Sequence, residues 1–343
     1  MKKIIFLSII VFLLLVSCEN KENVFPDFDY TTVYFPYQTP VRTIELGKDY
    51  IVDNSGDNAH NFKIFATMGG VYVNKKEVSI NVVVDNSLPT NVKFGNSAGA
   101  LVLPMPSNYY ELDPSNKIVI KPGDMSSGIS VHLTDAFFAD PLSLRNTYVI
   151  PLRMTDVVNA DSILRGKTSM TNPNPLKPSN WVTVPKDYVL FAVKYINAWH
   201  GNYLRRGRDV ATGSGLDTTM LYHKKYVEND QVVSMTSLSL NAVKLSLTTR
   251  NKGNLTNLPF DLQLNVDNNG RINVTTVANT TPTYTVSGSG EYVTDGDMWG
   301  GIKRDVMHLN YTVNFGPTVH SFTDTIVLRD RGIKFETFTP FVF

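Results

Sequence analysis

Histidine and carboxylate side chains are the groups through which this chain could bind a metal ion or catalyse acid–base chemistry. No two histidines have the spacing of a metal-ligand pair such as HxH or HExxH. His308 and His320 stand on two segments that we expect to pair as strands, so they could together bind zinc. The favoured interpretation is that both are exposed histidines on strands. Asp295 and Asp297 could hold calcium, but the longer EF-hand pattern is missing. The pattern predicts no metal, no cofactor and no catalytic residue.

Aromatic side chains in predicted loops offer a different chemistry. A flat aromatic face can stack on the apolar side of a sugar ring while neighbouring amides and charged groups bond to the hydroxyls. Each such residue could equally fasten its own loop to the protein. The strongest of these candidates stands in the glycine-rich segment 295–301. The candidates are Trp299, Trp181, Tyr109 and Tyr110.

The single cysteine, Cys18, follows a segment typical of a secretory signal peptide. Lys2 and Lys3 precede an apolar run that is too short to span a bilayer. A small residue, Ser17, stands directly before Cys18, which is the arrangement that marks a bacterial lipoprotein. We expect cleavage before Cys18 and acylation of its thiol, because several acyl chains hold a protein firmly on a membrane. A plain signal peptide with a chance cysteine is the alternative.

Composition excludes several classes of protein. The chain has 343 residues, 42% of them hydrophobic, with 32 Lys and Arg against 31 Asp and Glu. The formal net charge of +1 argues against binding to nucleic acid or to an anionic membrane through bulk charge. The apolar content is enough for packed cores, so wholesale disorder is excluded. The length suggests about two domains.

The elements that must position these residues are strands. Apolar residues alternate with polar ones around residues 62–66, 78–82, 260–266 and 307–315. The run 188–196 is almost wholly apolar, which predicts a buried central strand. Asn269-Gly270 between two alternating segments predicts a hairpin turn. Residues 135–144 could hold one short helical turn. Many short strands separated by turns predict an all-β sandwich or barrel.

Four ranges follow from these patterns. We predict a signal peptide over 1–17, an acidic tether over 18–29, a first domain over 30–197 and a second over 198–343. The boundary is placed after a segment rich in Pro and Asn, residues 171–185, which cannot form a regular element.

Longer motifs carry a resemblance to a known family. Residues 31–40 (TTVYFPYQTP), 133–141 (LTDAFFADP) and 147–152 (TYVIPL) resemble the immunoglobulin-like N-terminal domain of surface glycan-binding lipoproteins of gut Bacteroidota. Residues 199–207 (WHGNYLRRG) and 328–338 (LRDRGIKFETF) resemble a calycin-like, or lipocalin-like, β-barrel domain. The resemblance implies an immunoglobulin-like β-sandwich followed by an antiparallel β-barrel. It also implies that Trp199 packs against Arg329 or Arg331 to close the barrel by a cation–π contact.

The expected function combines these points. A lipid-anchored, non-catalytic outer-membrane protein would capture a poly- or oligosaccharide at the cell surface and pass it to a transporter or hydrolase. The membrane would be reached through the lipid anchor alone. An adhesin or structural subunit that binds a protein partner is the alternative, and a hydrolase with an unrecognised carboxylate pair is a third interpretation.

Overall fold

The computed structural model describes residues 26–213, 218–250 and 256–343. Strands dominate it, and they form a sandwich followed by a closed antiparallel barrel. The all-β prediction of an immunoglobulin-like domain and a barrel is therefore confirmed. The predicted signal peptide, 1–17, and Cys18 lie outside the described residues. In the part of the chain that is described, no helix is long and apolar enough to cross a membrane.

The sandwich is built from two main sheets. Its elements in chain order are β1 (Thr32–Tyr34), β2 (Pro40–Glu45), α1 (Ser55–Asn58), β3 (Asn61–Gly69), β4 (Val78–Val84), β5 (Val92–Phe94), β6 (Leu103–Pro104), β7 (Tyr110–Asp113), β8 (Lys117–Ile120), β9 (Ser126–Leu133), α2 (Asp135–Ala139), β10 (Tyr148–Val158), β11 (Ser162–Ile163) and β12 (Tyr188–Ile196). One sheet has the order β11-β1-β3-β9-β7. The other contains β2-β12-β10-β4-β8, with β6 also paired to β10.

Alternation along the strands fills the sandwich core. Phe62, Ile64 and Ala66 of β3 are buried between the sheets, facing residues such as Ile80 of β4. Strand β12 pairs with β2 on one side and with β10 on the other, so it lies centrally and almost all of its residues are buried. The predicted central strand is confirmed. The predicted helical turn is confirmed as α2 with the 3-10 turn that follows it.

The barrel is closed by pairing of its first and last long strands. Its strands are β13 (Gly201–Thr212), β14 (Thr218–Tyr222), β15 (Gln231–Ser239), β16 (Ala242–Arg250), β17 (Asn257–Val266), β18 (Arg271–Thr276), β19 (Thr285–Trp299), β20 (Ile302–Asn314) and β21 (Val319–Asp330). Strand β13 pairs with β21 from Asn202 to Thr212, while β14 is an extra strand on β13. The predicted hairpin joins β17 and β18. Gly270 supplies its positive φ of 78°.

A buried ion pair joins the adjacent strands β13 and β21 on the inside of the barrel. Arg205 and Asp324 are both almost fully buried, and Nε and Nη2 of Arg205 lie 3.0 and 2.9 Å from Oδ2 of Asp324. The Tyr311 hydroxyl donates to the same oxygen at 2.7 Å. Gly207 makes room for this group, because a Cβ there would lie 1.7 Å from Oδ1 of Asp324.

The C-terminal tail returns to the sandwich. After β21 the chain forms β22 (Glu336–Thr337), which pairs with β2, and β23 (Pro340–Val342), which pairs with β5. Phe338 between them is buried and packs near Phe94, with ring centroids 4.6 Å apart. The predicted barrel range 198–343 thus includes a segment that covers the free edge of a sandwich sheet, where backbone groups need partners.

Candidate functional site

The candidate site is a cleft at one edge of the sandwich, which we call the aromatic cleft. Its walls come from β2 and β12 of one sheet, from β3 of the other, from Pro36 and Tyr37 and from residues 333–335 of the tail. Its volume is about 410 Å³. The side chains that could meet a ligand are Tyr37, Arg42, Lys63, Phe65, Lys334 and Phe335.

Exposed rings form the apolar part of the aromatic cleft. Tyr37, Phe65 and Phe335 are 54%, 49% and 66% exposed. The rings of Tyr37 and Phe335 lie 5.0 Å apart at an angle of 53°. Below them Phe191 stacks on the buried ring of Phe62 at 5.4 Å. Three water-exposed rings in one concave site are a surface on which the apolar face of a ligand can stack.

Strand alternation explains why one of these rings faces outward. In β3 the even positions 62, 64 and 66 point into the core, so position 65 must point away from it. Phe65 is therefore an apolar residue on the polar face of its strand. Lys63 lies on the same face, two residues earlier.

A second, polar cleft of about 480 Å³ adjoins the aromatic cleft and shares Arg42 and residues 333–335 with it. Three of its acids, Asp49, Asp53 and Asp57, already accept hydrogen bonds from the protein. Asp57 pairs with Arg42 and also accepts from the Glu45 amide at 2.9 Å. Asp49 and Asp53 accept from the amides two residues ahead of each. These contacts fix Arg42 at the border of the two clefts.

Glu45 and Arg331 join the polar cleft to the domain junction. The Arg331 guanidinium donates to the carbonyls of Leu46, Lys48 and Asn197 at 2.7–3.1 Å. Its Nε lies 3.5 Å from Oε1 of Glu45. Burial raises the pKa of Glu45 to about 7, an effect that Arg331 partly offsets.

The four aromatic residues predicted to stack on sugar do not line the aromatic cleft. Trp299 ends β19, and the Arg206 guanidinium lies 5.2 Å from its ring. The indole of Trp181 donates to the Asn174 carbonyl at 2.8 Å and so fastens its loop.

The two tyrosines stand elsewhere in the sandwich. The Tyr109 hydroxyl donates to Asp140 at 3.1 Å, and its ring packs edge-on against Tyr148. Tyr110 is partly buried against the sandwich core. The structure does not bring the four aromatic residues together.

The predicted barrel closure takes a different form. In the described part of the chain the ring of Trp199 packs edge-on against Tyr292 at 6.1 Å, while Arg329 and Arg331 have other partners. Arg329 is exposed beside Asp330. Arg331 points into the domain junction because backbone carbonyls of the sandwich domain converge on it there. Inside the barrel it is the Arg205 guanidinium that lies over aromatic rings, 4.1 Å from that of Tyr222 and 5.7 Å from that of Phe322.

Strand register separates the two histidines of the zinc hypothesis. His308 pairs with Thr325, whereas His320 pairs with Val313, so the two histidines are not neighbours. The expectation of two exposed histidines is wrong for His320, which is buried with Nδ1 3.0 Å from Oδ2 of Asp209. His320 faces inward because it lies an even number of residues from the other inward-facing residues of β21, such as Phe322 and Ile326.

The acids of the calcium hypothesis are also separated. Asp295 accepts from Lys48 at 2.8 Å and from the Tyr50 hydroxyl at 2.7 Å, and both donors belong to the sandwich. Asp297 lies 3.9 Å from His308 instead. In the described ranges no group of three or more His, Cys, Asp or Glu side chains could hold a metal ion.

Sequence reasoning missed the aromatic cleft and one local motif. Phe65 could have indicated the aromatic cleft, since it is an apolar residue at a position of β3 where the alternation predicts a polar one. The sequence around Tyr37 and Phe335 gave no such signal, because the two rings meet only where the tail returns to the sandwich.

Residues 95–99 (GNSAG) match the GxSxG pattern of hydrolase nucleophiles. They form a turn after β5 with no helix behind it, so the strand–turn–helix context of that pattern is missing.

Fold and cleft together define a two-domain all-β protein, with an immunoglobulin-like sandwich, a barrel and a cleft lined by aromatic rings at the edge of the sandwich. A family model described as an N-terminal domain matches residues 28–161, and a model for a domain of unknown function, DUF5627, matches residues 198–332. A protein of unknown function from Bacteroides ovatus is 40% identical in sequence. The match covers 92% of this chain and 100% of that one, with a TM-score of 0.86. The chain belongs to this two-domain Bacteroidota family.

Two further solved structures are much more distant. One is an auxiliary nutrient binding protein of Bacteroides thetaiotaomicron, 11% identical over 84% of this chain and 90% of that one, with a TM-score of 0.38. The other is a protein of unknown function from Bacteroides ovatus, 8% identical over 88% and 94%, with a TM-score of 0.39. At these scores neither bears on the function of this chain. No curated protein is similar enough to count as a relative.

Proposed function

We propose that this protein is a non-catalytic binder of poly- or oligosaccharides, and that the aromatic cleft is its binding site. The observation that carries the proposal is the pair of exposed rings, Tyr37 and Phe335, 5.0 Å apart at the mouth of the cleft beside exposed Phe65. Exposed rings on two walls allow successive sugar units to stack, while Arg42 and the lysines donate to hydroxyl or carboxylate oxygens.

Binding without catalysis fits the state of the nearby acids. Glycoside hydrolysis needs one carboxyl to give a proton and another to attack or activate water. Acids close to the aromatic cleft already face cations of the protein. Asp57 pairs with Arg42, Glu336 accepts from Lys194 at 2.9 Å, and Glu45 lies 3.5 Å from Arg331. We therefore propose capture of the saccharide rather than its cleavage.

The proposed location is the outer face of the outer membrane. The support is the sequence around Cys18, in which an apolar run and a small residue precede the cysteine. Acyl chains on Cys18 would hold the protein on the membrane, and the sandwich and barrel would stand outside it. A membrane transporter or a separate hydrolase is the proposed recipient of the saccharide. Fractionation of cells carrying Cys18→Ala tests the anchor, because loss of acylation should release the protein from the membrane fraction.

Affinity electrophoresis and titration calorimetry against a panel of neutral and acidic polysaccharides test the binding site. Phe335→Ala and Tyr37→Ala should each weaken binding about fivefold to tenfold, since one stacked ring contributes about 1 kcal/mol. Tyr72→Ala is the matched control, because Tyr72 is 64% exposed but does not line the cleft.

A fourth variant separates the cleft from the barrel candidate. Trp299→Ala should leave saccharide binding unchanged. If Trp299→Ala abolishes binding while Phe335→Ala retains it, the binding site lies on the barrel. If no polysaccharide binds and a stable protein partner is captured instead, the adhesin alternative replaces the proposal.

A further inference from the structure

We propose that the aromatic cleft selects acidic oligosaccharides, such as chains of hexuronic acids, over neutral ones. This inference rests on the proposed function and names the class of ligand. It is carried by the charges that line the aromatic cleft and by the way each charge is placed beside a ring.

The charged side chains lining the aromatic cleft are all cationic. They are Arg42, Lys63 and Lys334, and the described lining contains no Asp or Glu. Arg42 is neutralised by Asp57. The ammonium groups of Lys63 and Lys334 make no hydrogen bond or ion pair with the described part of the chain, and both residues are exposed. Two positive charges in the cleft are therefore available to a ligand.

Each of two walls pairs one ring with one of these lysines. In β3, Lys63 and Phe65 lie two residues apart on the same face, which places them about 7 Å apart. In the tail, Lys334 directly precedes Phe335 in the wall that carries the Tyr37 contact. A hexuronic acid carries its carboxylate on the ring itself. A sugar unit stacked on either ring can therefore reach the neighbouring ammonium group with that carboxylate.

The hydrogen-bonding character of the lining points the same way. Lysine and arginine side chains donate hydrogen bonds and accept none. Neutral sugars present hydroxyls that both donate and accept, and their recognition uses both kinds of partner. Carboxylates accept only, so they match a lining in which charged donors predominate. Sulfate esters share this chemistry and need a separate arm of the test.

Titration calorimetry at low ionic strength tests the inference with matched ligands. The probes are oligogalacturonate, the same oligomer with its carboxyls methyl-esterified, and a sulfated galactan oligomer. The protein is used as the mature chain, with Lys63→Met and Lys334→Met as variants. Lys117→Met is the control, because Lys117 is exposed on β8 at the opposite edge of the sheet from β2.

We expect oligogalacturonate to bind more tightly than its methyl ester, and each cleft variant to weaken that binding about threefold to fivefold. Raising the salt concentration should reduce the difference, and Lys117→Met should have no effect. Tighter binding of the sulfated oligomer would assign the site to sulfate rather than to carboxylate and overturn the choice of uronic acid. If oligogalacturonate and its methyl ester bind equally and the lysine variants change neither affinity, the inference is overturned but saccharide binding stands. No binding of any oligomer overturns both.

Discussion

The guanidinium of Arg331 and the carboxylate of Glu45 meet at the junction of the two domains, with Nε 3.5 Å from Oε1 and both side chains almost fully buried. Arg331 follows the last barrel strand, whereas Glu45 ends β2 of the sandwich. The same guanidinium donates to the carbonyls of Leu46 and Asn197, which follow β2 and β12 of the sandwich. These contacts tie the start of the tail, and with it one wall of the aromatic cleft, to the sandwich domain.

Stability should therefore depend on Arg331 far more than on its neighbour Arg329. Arg331→Ala removes the donor to the Leu46 and Lys48 carbonyls and the charge facing buried Glu45, and we expect a loss of about 3 kcal/mol in the free energy of unfolding. Arg331→Lys should not restore the lost stability, because one ammonium group cannot replace the several donors of the planar guanidinium group. The exposed residue Arg329 is the control, and Arg329→Ala should cost under ~0.5 kcal/mol. Differential scanning calorimetry measures all three, and equal effects of the two alanine variants would show that the junction does not depend on Arg331.

Glu45 should make the junction sensitive to pH. The folded protein keeps the Glu45 proton up to about pH 7, whereas the ordinary pKa of the unfolded chain is 4.5. The folded state binds more protons between these values, so the stability that neutral Glu45 contributes is complete below about pH 4.5 and is lost as the pH rises to about 7.

Glu45→Gln isolates this effect because glutamine stays neutral. We expect the Tm of the wild type to fall relative to that of the variant as the pH rises from about 4.5 to about 7. Each 1 kcal/mol lost from the free energy of unfolding should lower the Tm by about 2–4 °C. Above that range the difference should stay constant. A Tm difference that does not change across the range contradicts the assignment of a raised pKa to Glu45.

The ion pair inside the barrel gives a prediction about stability alone. Asp324→Leu strands the buried Arg205 charge and should destabilise the barrel by about 3–5 kcal/mol in urea unfolding. The double variant Arg205→Met, Asp324→Leu removes both charges and should recover most of that loss. If the double variant is no more stable than the single one, the cost comes from packing around Tyr311 rather than from an unpaired charge.

The tail should hold the sandwich through Phe338. Replacement of this buried ring by alanine should cost about 3 kcal/mol, because it opens a cavity beside Phe94 and Val41. Phe343, which is 57% exposed, serves as the control, and Phe343→Ala should change the stability little. Weaker saccharide binding in Phe338→Ala than in Phe343→Ala is also expected, since Phe338 anchors the segment that carries Phe335.

Local patterns predicted most of the strands but not the site. Alternation identified β3, and the Asn-Gly pair identified the β17–β18 hairpin, because both depend on residues close in sequence. The aromatic cleft depends on contact between Tyr37 and Phe335, which are brought together only by the pairing of β22 with β2. Arg331 was expected to close the barrel, and nothing nearby in sequence indicates that Glu45 and the Leu46 carbonyl are its partners. The burial of His320 depends on register, which a segment by itself does not reveal.

The most direct measurement is a crystal structure of the mature protein with an acidic oligosaccharide, with oligogalacturonate as the first choice. We predict sugar rings stacked on Phe335 or Phe65, with a carboxylate beside the ammonium group of Lys334 or Lys63. An oligosaccharide bound at Trp299 while the aromatic cleft holds only water would contradict the central claim.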